Sequence, residues 1–174
     1  TLVLALVTPV VLVTNRFGNQ GPLLYRQTRV GKNGEAFSIL KFRTMREDAE
    51  AKTGPVWAAK GGDPRVTPIG RFLRRTRLDE LPQLFNVLRG EMSVIGPRPE
   101  LPNVCRTYDL FNHPRHLVRP GLTGPWQVSG RNRIIHFEEV VQLESAYIAE
   151  WSFARDAGIL LRTVPAVIRM DGAQ

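Results

Sequence analysis

Two adjacent carboxylates, Asp79 and Glu80, directly follow a stretch of the chain that is rich in arginine. Acidic pairs are common at the start of a helix, because they complement the positive end of the helix dipole. The apolar residues after this pair recur at helical spacing, which predicts a helix that begins at about Asp79 and whose backbone donors favour anions. We expect the neighbouring cations to lower the pKa of Asp79, so that an ionised carboxylate could attack phosphorus as a nucleophile.

Basic residues are concentrated just before this pair. The chain carries 24 Lys and Arg against 16 Asp and Glu, a net charge of +8. Arginine binds phosphate through a planar, bidentate fork, so the excess suits nucleic acid, anionic lipid headgroups or a phosphorylated small substrate. Such cations, with Mg²⁺ bound by Glu80, would offset the repulsion between Asp79 and a phosphate. The residues of the cluster are Lys60, Arg65, Arg71, Arg74, Arg75 and Arg77.

Cysteine and histidine usage excludes two other kinds of site. The single cysteine, Cys105, excludes an internal disulfide framework and a multi-cysteine metal site. The 3 histidines have no spacing typical of metal ligands. We therefore expect Cys105 to be a buried residue without a catalytic role.

The elements that must position these residues are predicted to be mixed. Alternation predicts strands over residues 23–29 and 36–45, with a hairpin turn at Asn33-Gly34. Thr67 and Pro68 predict a helix start, with Ile69, Phe72 and Leu73 as its buried side. The helix after Asp79 would bury Leu81, Leu84, Phe85 and Leu88 and end at Gly90. Residues 137–151 predict a further helix, and Ser152 would cap a last one that Pro165 kinks or divides.

Residues 1–13 contain no charge, and as a helix they are about 20 Å long. The hydrocarbon core of a bilayer is about 30 Å thick, so this segment is too short to cross it. Pro9 removes a backbone donor, and the Thr8 hydroxyl can donate to the carbonyl four residues back. Both effects favour a kinked helix, which could enter the bilayer and return to the same face. A buried core helix or a trimmed transmembrane helix explains the same residues. The last helix is likewise compatible with an interfacial position or with core packing.

Six blocks of the sequence together resemble the bacterial sugar transferases, the monotopic phosphoglycosyl transferases, over almost the whole chain. The resemblance implies an α+β fold: a small catalytic domain over residues 21–174 with a β-hairpin and interfacial amphipathic helices, preceded by a re-entrant membrane helix over residues 1–20. In the family, that helix is broken at a Ser-Pro pair, and this sequence has Thr8-Pro9 at the corresponding position. The blocks lie at residues 21–31, 41–45, 78–88, 92–100, 119–124 and 130–132.

The resemblance also implies a reaction. A sugar-1-phosphate would pass from a UDP-sugar to a polyprenol phosphate such as undecaprenyl phosphate, with release of UMP, as the first membrane step of exopolysaccharide, O-antigen or glycoconjugate synthesis. Asp79 would hold the phosphosugar covalently, and Glu80 would lie at a Mg²⁺ ion. The residues that would contact the substrate are Lys41, Arg43, Arg75, Pro97, Arg98 and Pro99.

The implied location is the cytoplasmic face of the bacterial inner membrane, as a monotopic protein whose partners are the UDP-sugar, the polyprenol phosphate and the lipid bilayer, and not nucleic acid. A homodimer is compatible with the resemblance. The sequence departs from many relatives at Pro125, where they have Trp or another large residue, so no role is carried to that position. From the residues alone, a basic membrane-surface or nucleic-acid-binding module without catalysis stays an alternative.

Overall fold

The computed structural model describes residues 2–18, 21–49, 63–129 and 136–168. Helices and short strands alternate along the chain, which confirms the mixed α+β class. No helix in these ranges has the length and apolarity needed to cross a membrane. The elements are α1 (Leu2–Gly18), β1 (Leu24–Val30), β2 (Ala36–Phe42), α2 (Pro68–Thr76), α3 (Gln83–Leu88), β3 (Ser93–Ile95), α4 (Pro102–Thr107), β4 (Gly121–Thr123), α5 (Pro125–Val128), α6 (Phe137–Ala149) and α7 (Phe153–Ile168).

The chain divides into two compact units. Of the described residues, the first unit comprises 2–18, 21–25, 40–49 and 63–82, and the second comprises 26–39, 83–129 and 136–168. β1 and β2 pair in a two-stranded sheet. In the turn between them, Asn33 and Gly34 have φ angles of 58° and 77°, the left-handed region that an Asn-Gly turn uses. A domain boundary at residue 20 stays a prediction.

The core of the first unit joins α1, β2 and α2 through Val11, Phe42 and Leu73. The Thr8 hydroxyl donates to the Leu4 carbonyl at 2.7 Å, which confirms the predicted bond, and α1 continues through Pro9 as one helix. The opposite side of α1 is apolar and exposed. Its exposed residues are Leu6, Val10, Leu12 and Val13.

α2 begins as the sequence predicts. The Thr67 hydroxyl accepts a hydrogen bond from the Gly70 amide at 3.0 Å, and Pro68 occupies the first turn. Leu73 is buried, but Phe72 is 55% exposed, so its assignment to the buried side is wrong. A Cβ atom on Gly70 would overlap the Thr44 carbonyl, which means that α2 lies against the backbone after β2.

The helix predicted to start at Asp79 is wrong in its start and in its buried side. Residues Leu78–Glu80 form a single 3₁₀ turn, and α3 begins only at Gln83. In α3 the buried side chains are polar, Gln83 and Asn86, whereas Phe85 and Leu88 are exposed. Asn86 can be buried because its amide has partners. Its Nδ2 atom donates to the Ser38 carbonyl at 2.8 Å and to Glu91 Oε2 at 2.7 Å. Gly90 follows α3 with a positive φ, as predicted.

In the second unit, β3 and β4 form a parallel pair in a stretch that the sequence analysis did not assign to strands. Ser93 pairs with Gly121 and Ile95 with Thr123. The strands approach closely at glycine, because a Cβ atom on Gly121 would overlap the backbone nitrogen of Gly96. A small core forms beside them from Val30, Cys105 and Leu110.

α6 and α7 complete the second unit. The Ser152 hydroxyl accepts from the Arg155 amide at 3.3 Å, which confirms the predicted cap of the last helix. α7 runs through Pro165 without dividing. Much of its apolar surface is exposed, which contradicts core packing along its whole length. The exposed residues are Phe153, Leu160, Leu161 and Val164.

Candidate functional site

Asp79 occupies the middle of the 3₁₀ turn in the first unit and is almost fully buried, with 8% of the residue exposed. Its Oδ1 atom is buried and has no hydrogen-bond partner among the residues that the structure describes. A buried carboxylate oxygen without a partner is costly to maintain. It is therefore a candidate for contact with a ligand or a reacting atom.

Three cations act on this carboxylate. Lys41 at the end of β2, Arg74 in α2 and Arg77 after α2 each lower the pKa of Asp79. Lys41 Nζ lies 3.3 Å from Glu80 Oε1, and Arg74 Nε donates to the Thr44 hydroxyl at 2.9 Å, so both side chains are held in place.

The expectation that the cations lower the pKa of Asp79 overall is wrong. Burial and the neighbouring Glu80 carboxylate outweigh them and raise the pKa of Asp79 from 3.8 to about 6. The carboxylate is still largely ionised at neutral pH. It is more basic than an ordinary aspartate, and it has a positively charged surrounding in which an anionic phosphate can be bound.

The other cations predicted for substrate contact lie in different surroundings. Arg43 Nε donates to the Pro22 carbonyl at 2.8 Å, and its guanidinium carbon lies 5.8 Å from the centre of the Tyr25 ring. Arg75 is exposed and is not among the cations that act on Asp79. Its neighbours Arg74 and Arg77 do act there, and nothing in the sequence pattern separates the three arginines.

A second group of functional candidates lies in the second unit. Pro97 and Pro99 are buried, and Arg98 between them is half-buried. The guanidinium carbon of Arg98 lies 5.4 Å from the centre of the Trp126 ring, a cation–π arrangement. Trp126 is buried in α5, where Pro125 fits the first helical position, so the departure from relatives at that residue is compatible with the local fold.

Two residues that sequence reasoning missed hold the Arg98 backbone. The Arg98 amide donates to Glu144 Oε1 at 2.8 Å, and Arg115 Nη2 donates to the Arg98 carbonyl at 2.9 Å. A signal for Glu144 was present, because this acid is spaced four residues after Val140 and three before Tyr147, on the buried side of α6. For Arg115 the local sequence gives no comparable signal.

Other side chains of the second unit have structural roles. The Tyr147 hydroxyl donates to Asp156 Oδ1 at 2.7 Å and the Trp151 indole to Oδ2 at 3.1 Å, which links α6 to α7. Cys105 is fully buried, as expected. The sequence block at 130–132 lies outside the described residues.

Glu80, beside Asp79, could hold a magnesium ion if other groups supplied most of its ligands. Mg²⁺ is usually bound through one or two carboxylates, with waters and substrate phosphates as its other ligands. Glu80 offers one carboxylate to such an ion and lies next to Asp79 in the same 3₁₀ turn. Within the described ranges no three or more acidic, histidine or cysteine side chains form a metal cage, so the phosphates would have to complete the coordination.

Comparison with known proteins agrees with these observations. The family model "Bacterial sugar transferase" matches residues 1–170. The chain is 43% identical over 164 residues to the galactosyl transferase CpsE of Streptococcus agalactiae serotype III, covering 88% of this chain and 36% of that protein. It is 41% identical over 170 residues to the undecaprenyl-phosphate galactose phosphotransferase of Salmonella typhimurium, covering 88% of this chain and 35% of that protein.

A third relative is covered over more of its length. The chain is 44% identical over 186 residues to the UDP-glucose:undecaprenyl-phosphate glucose-1-phosphate transferase of Caulobacter vibrioides, covering 99% of this chain and 67% of that protein. By contrast, it spans only about a third of the first two relatives. Since the family model covers nearly every residue and identity exceeds 40% in all three relatives, the chain belongs to the bacterial sugar transferase family.

Proposed function

We propose that the chain is the catalytic part of an enzyme that transfers a sugar-1-phosphate from a UDP-sugar to undecaprenyl phosphate, as a step of exopolysaccharide or glycoconjugate synthesis. The observation that carries the proposal is the buried Asp79 carboxylate, with one unpartnered oxygen and three cations acting on it. The printed names of the Salmonella and Caulobacter relatives describe this class of transfer.

The reaction takes place in two displacements. Asp79 Oδ1 attacks the phosphorus that bears the sugar, a bond forms between them, and the bond from that phosphorus to the oxygen of the uridylate breaks, so that UMP leaves. A phosphate oxygen of undecaprenyl phosphate then attacks the same phosphorus. The acyl-phosphate bond breaks, and the lipid-linked pyrophosphoryl sugar leaves a free Asp79 carboxylate.

The surrounding charges make this chemistry feasible. A carboxylate repels an anionic phosphate, and Lys41, Arg74 and Arg77 reduce that repulsion at Asp79. A Mg²⁺ ion held by Glu80 would neutralise further charge on the pyrophosphate. The raised pKa of Asp79 makes it a better nucleophile than an ordinary aspartate, while it stays ionised at neutral pH.

Membrane association follows from the lipid acceptor, and we place it at α1 and α7. One side of α1 is buried at Val11, and the other presents exposed Leu6, Val10 and Leu12. Such a surface suits a helix embedded from one side of a bilayer. A re-entrant path of α1, with a bend at Thr8-Pro9 inside the continuous helix, and a position on the cytoplasmic face are part of this proposal.

The covalent mechanism predicts a mass increase. The protein, incubated with Mg²⁺ and a panel of UDP-sugars without lipid acceptor, should gain the mass of one phosphosugar and release one UMP. Peptide mapping should place the addition at Asp79, and undecaprenyl phosphate should remove it.

Asp79→Asn is the test variant, because an amide is not a nucleophile of this kind, and exposed Glu139→Gln is the matched control. Full UMP release by Asp79→Asn would overturn the covalent step. Membrane binding without UMP release from any UDP-sugar would favour a non-catalytic surface protein instead.

A further inference from the structure

Every backbone donor and acceptor of the segment Pro97–Pro99 has a hydrogen-bond partner. Proline has no amide hydrogen, so the segment has a single backbone donor, the Arg98 N–H, and this donates to Glu144 Oε1 at 2.8 Å. All three of its carbonyls accept hydrogen bonds. The Gly121 amide donates to the Pro97 carbonyl at 2.8 Å, and Arg115 Nη2 donates to the Arg98 carbonyl at 2.9 Å. Arg29 Nη1 donates to the Pro99 carbonyl at 3.0 Å.

Two of these partners form a buried ion pair. Glu144 Oε2 lies 2.7 Å from Arg115 Nη2, and the side chains are 0% and 1% exposed. Glu100 Oε1 lies 3.7 Å from the same nitrogen, and the Phe137 ring centre lies 5.8 Å from the guanidinium carbon of Arg115. A buried ion pair often contributes less to stability than apolar side chains of the same volume would. The presence of the Glu144–Arg115 pair is therefore better explained by the backbone geometry that it imposes than by its contribution to stability.

The Arg98 side chain, in contrast, keeps its hydrogen-bonding capacity. Its guanidinium lies over the Trp126 ring, and within the described part of the chain it makes no hydrogen bond or ion pair. A guanidinium has five N–H donors in a planar fork that matches phosphate. The fixed backbone and the aromatic ring together limit the directions in which that fork can point.

We propose that Glu144 and Arg115 are positioning residues, which fix the backbone of Arg98 and thereby aim its guanidinium at a phosphate of the nucleotide donor. This inference rests on the proposed function for the identity of the ligand. The geometric part does not depend on it. Neither residue touches the substrate in this scheme, and both act through Arg98.

Amide hydrogen exchange tests the geometric part directly. Because Pro97 and Pro99 have no amide, exchange within residues 97–99 reports the Arg98 amide alone. Loss of the hydrogen bond to the Glu144 side chain should accelerate its exchange about tenfold or more in Glu144→Leu, because leucine has no acceptor. The Leu110 amide, bonded to the Cys105 carbonyl at 2.8 Å in the same unit, should stay unchanged and serves as a reference. Glu139→Leu, the same change at an exposed position of the same helix, is the matched control.

Donor kinetics test whether this positioning acts through Arg98. Glu144→Leu and Arg115→Lys should each raise the KM for the UDP-sugar about tenfold, with a smaller change in kcat, because a misdirected fork binds phosphate less well. Arg98→Ala should cause a loss at least as large. In the Arg98→Ala background, Glu144→Leu should add less than about twofold, since the group it positions is already absent.

The outcomes separate the two proposals. Unchanged Arg98 exchange in Glu144→Leu, or losses that multiply in the double variant, would overturn the positioning role. If the wild-type protein transfers no phosphosugar, the proposed function fails, and the exchange result alone decides whether Glu144 holds residue 98. Accelerated exchange at both Arg98 and Leu110 would show general loosening of the unit and would also overturn it.

Discussion

At the scale of single residues, Asp79 combines burial with charge. Its carboxylate is 8% exposed, and burial raises its pKa from 3.8 to about 6. A group whose pKa is higher in the folded than in the unfolded protein destabilises the fold once the pH exceeds both values. The nucleophile proposed for the reaction is therefore a source of instability at neutral pH.

Asp79→Asn should accordingly be more stable than the wild type above pH 6, while losing the covalent adduct. As the pH rises from about 4 to 6 the wild type should lose stability, because the carboxyl group ionises more readily in the unfolded chain, and the variant should not. The difference at pH 8 should be about 3 kcal/mol, and it should become small near pH 4. Chemical denaturation with EDTA and without substrate measures it. A variant less stable than the wild type at pH 8 would contradict the burial argument.

Lys41 should influence the same carboxylate in the opposite sense. Since Lys41 lowers the pKa of Asp79, Lys41→Gln should raise that pKa further and move the acid limb of the rate–pH profile to higher pH. It should also lower kcat/KM about 100-fold through lost stabilisation of phosphate charge. The exposed Lys32 in the turn after β1 offers a matched control, Lys32→Gln. An acid limb that stays in place or moves down would contradict this role.

At the scale of elements, α2 is held close to the backbone after β2. Two helical glycines allow a matched comparison, Gly70 in α2 and Gly158 in α7. A Cβ atom on Gly70 would overlap the Thr44 carbonyl, whereas a Cβ atom on Gly158 would meet nothing within 4 Å.

Gly158→Ala should therefore be neutral or should stabilise by up to about 1 kcal/mol, as alanine does within a helix. Gly70→Ala should destabilise by about 2 kcal/mol or more and lower activity, because α2 also carries Arg74. Thermal unfolding of both variants checks the pair. Equal effects at the two sites would contradict the close approach of α2 to residue 44.

Local patterns predicted some elements and failed for others. The start of α2 was predictable, because the Thr67 cap and Pro68 act within one helical turn. The buried side of α3 was not, because Asn86 is satisfied by Ser38, far away in sequence, rather than by its helix neighbours. Apolar periodicity therefore gave the wrong side of α3.

At the scale of the whole molecule, the dyad and the arginine-containing loop were located by resemblance, but their environments were not. The raised pKa of Asp79 depends on burial by the folded chain, which no local motif expresses. The partners of Arg98 lie at positions 115 and 144, too distant in sequence to pair by pattern.

The membrane topology can be tested with the one native cysteine in place. Cys105 is fully buried, and burial raises the pKa of its thiol, so it should react poorly with a membrane-impermeant maleimide. In the full-length protein in cells, Leu2→Cys and Asn15→Cys should both react only from the cytoplasmic side if α1 is re-entrant. Glu139→Cys serves as a cytoplasmic reference, and labelling of one end from outside would show a span.

Arg77, directly before the 3₁₀ turn, has a φ of 59°, a conformation that glycine and asparagine adopt more readily than arginine. Its charge also acts on Asp79. Glycine at this position would relax the backbone and remove the charge, whereas lysine would keep the charge and the unfavourable conformation. No single common residue both favours the left-handed backbone conformation and carries a positive charge at this position. A substitution at Arg77 that eases folding of the turn would therefore remove a positive charge that acts on Asp79.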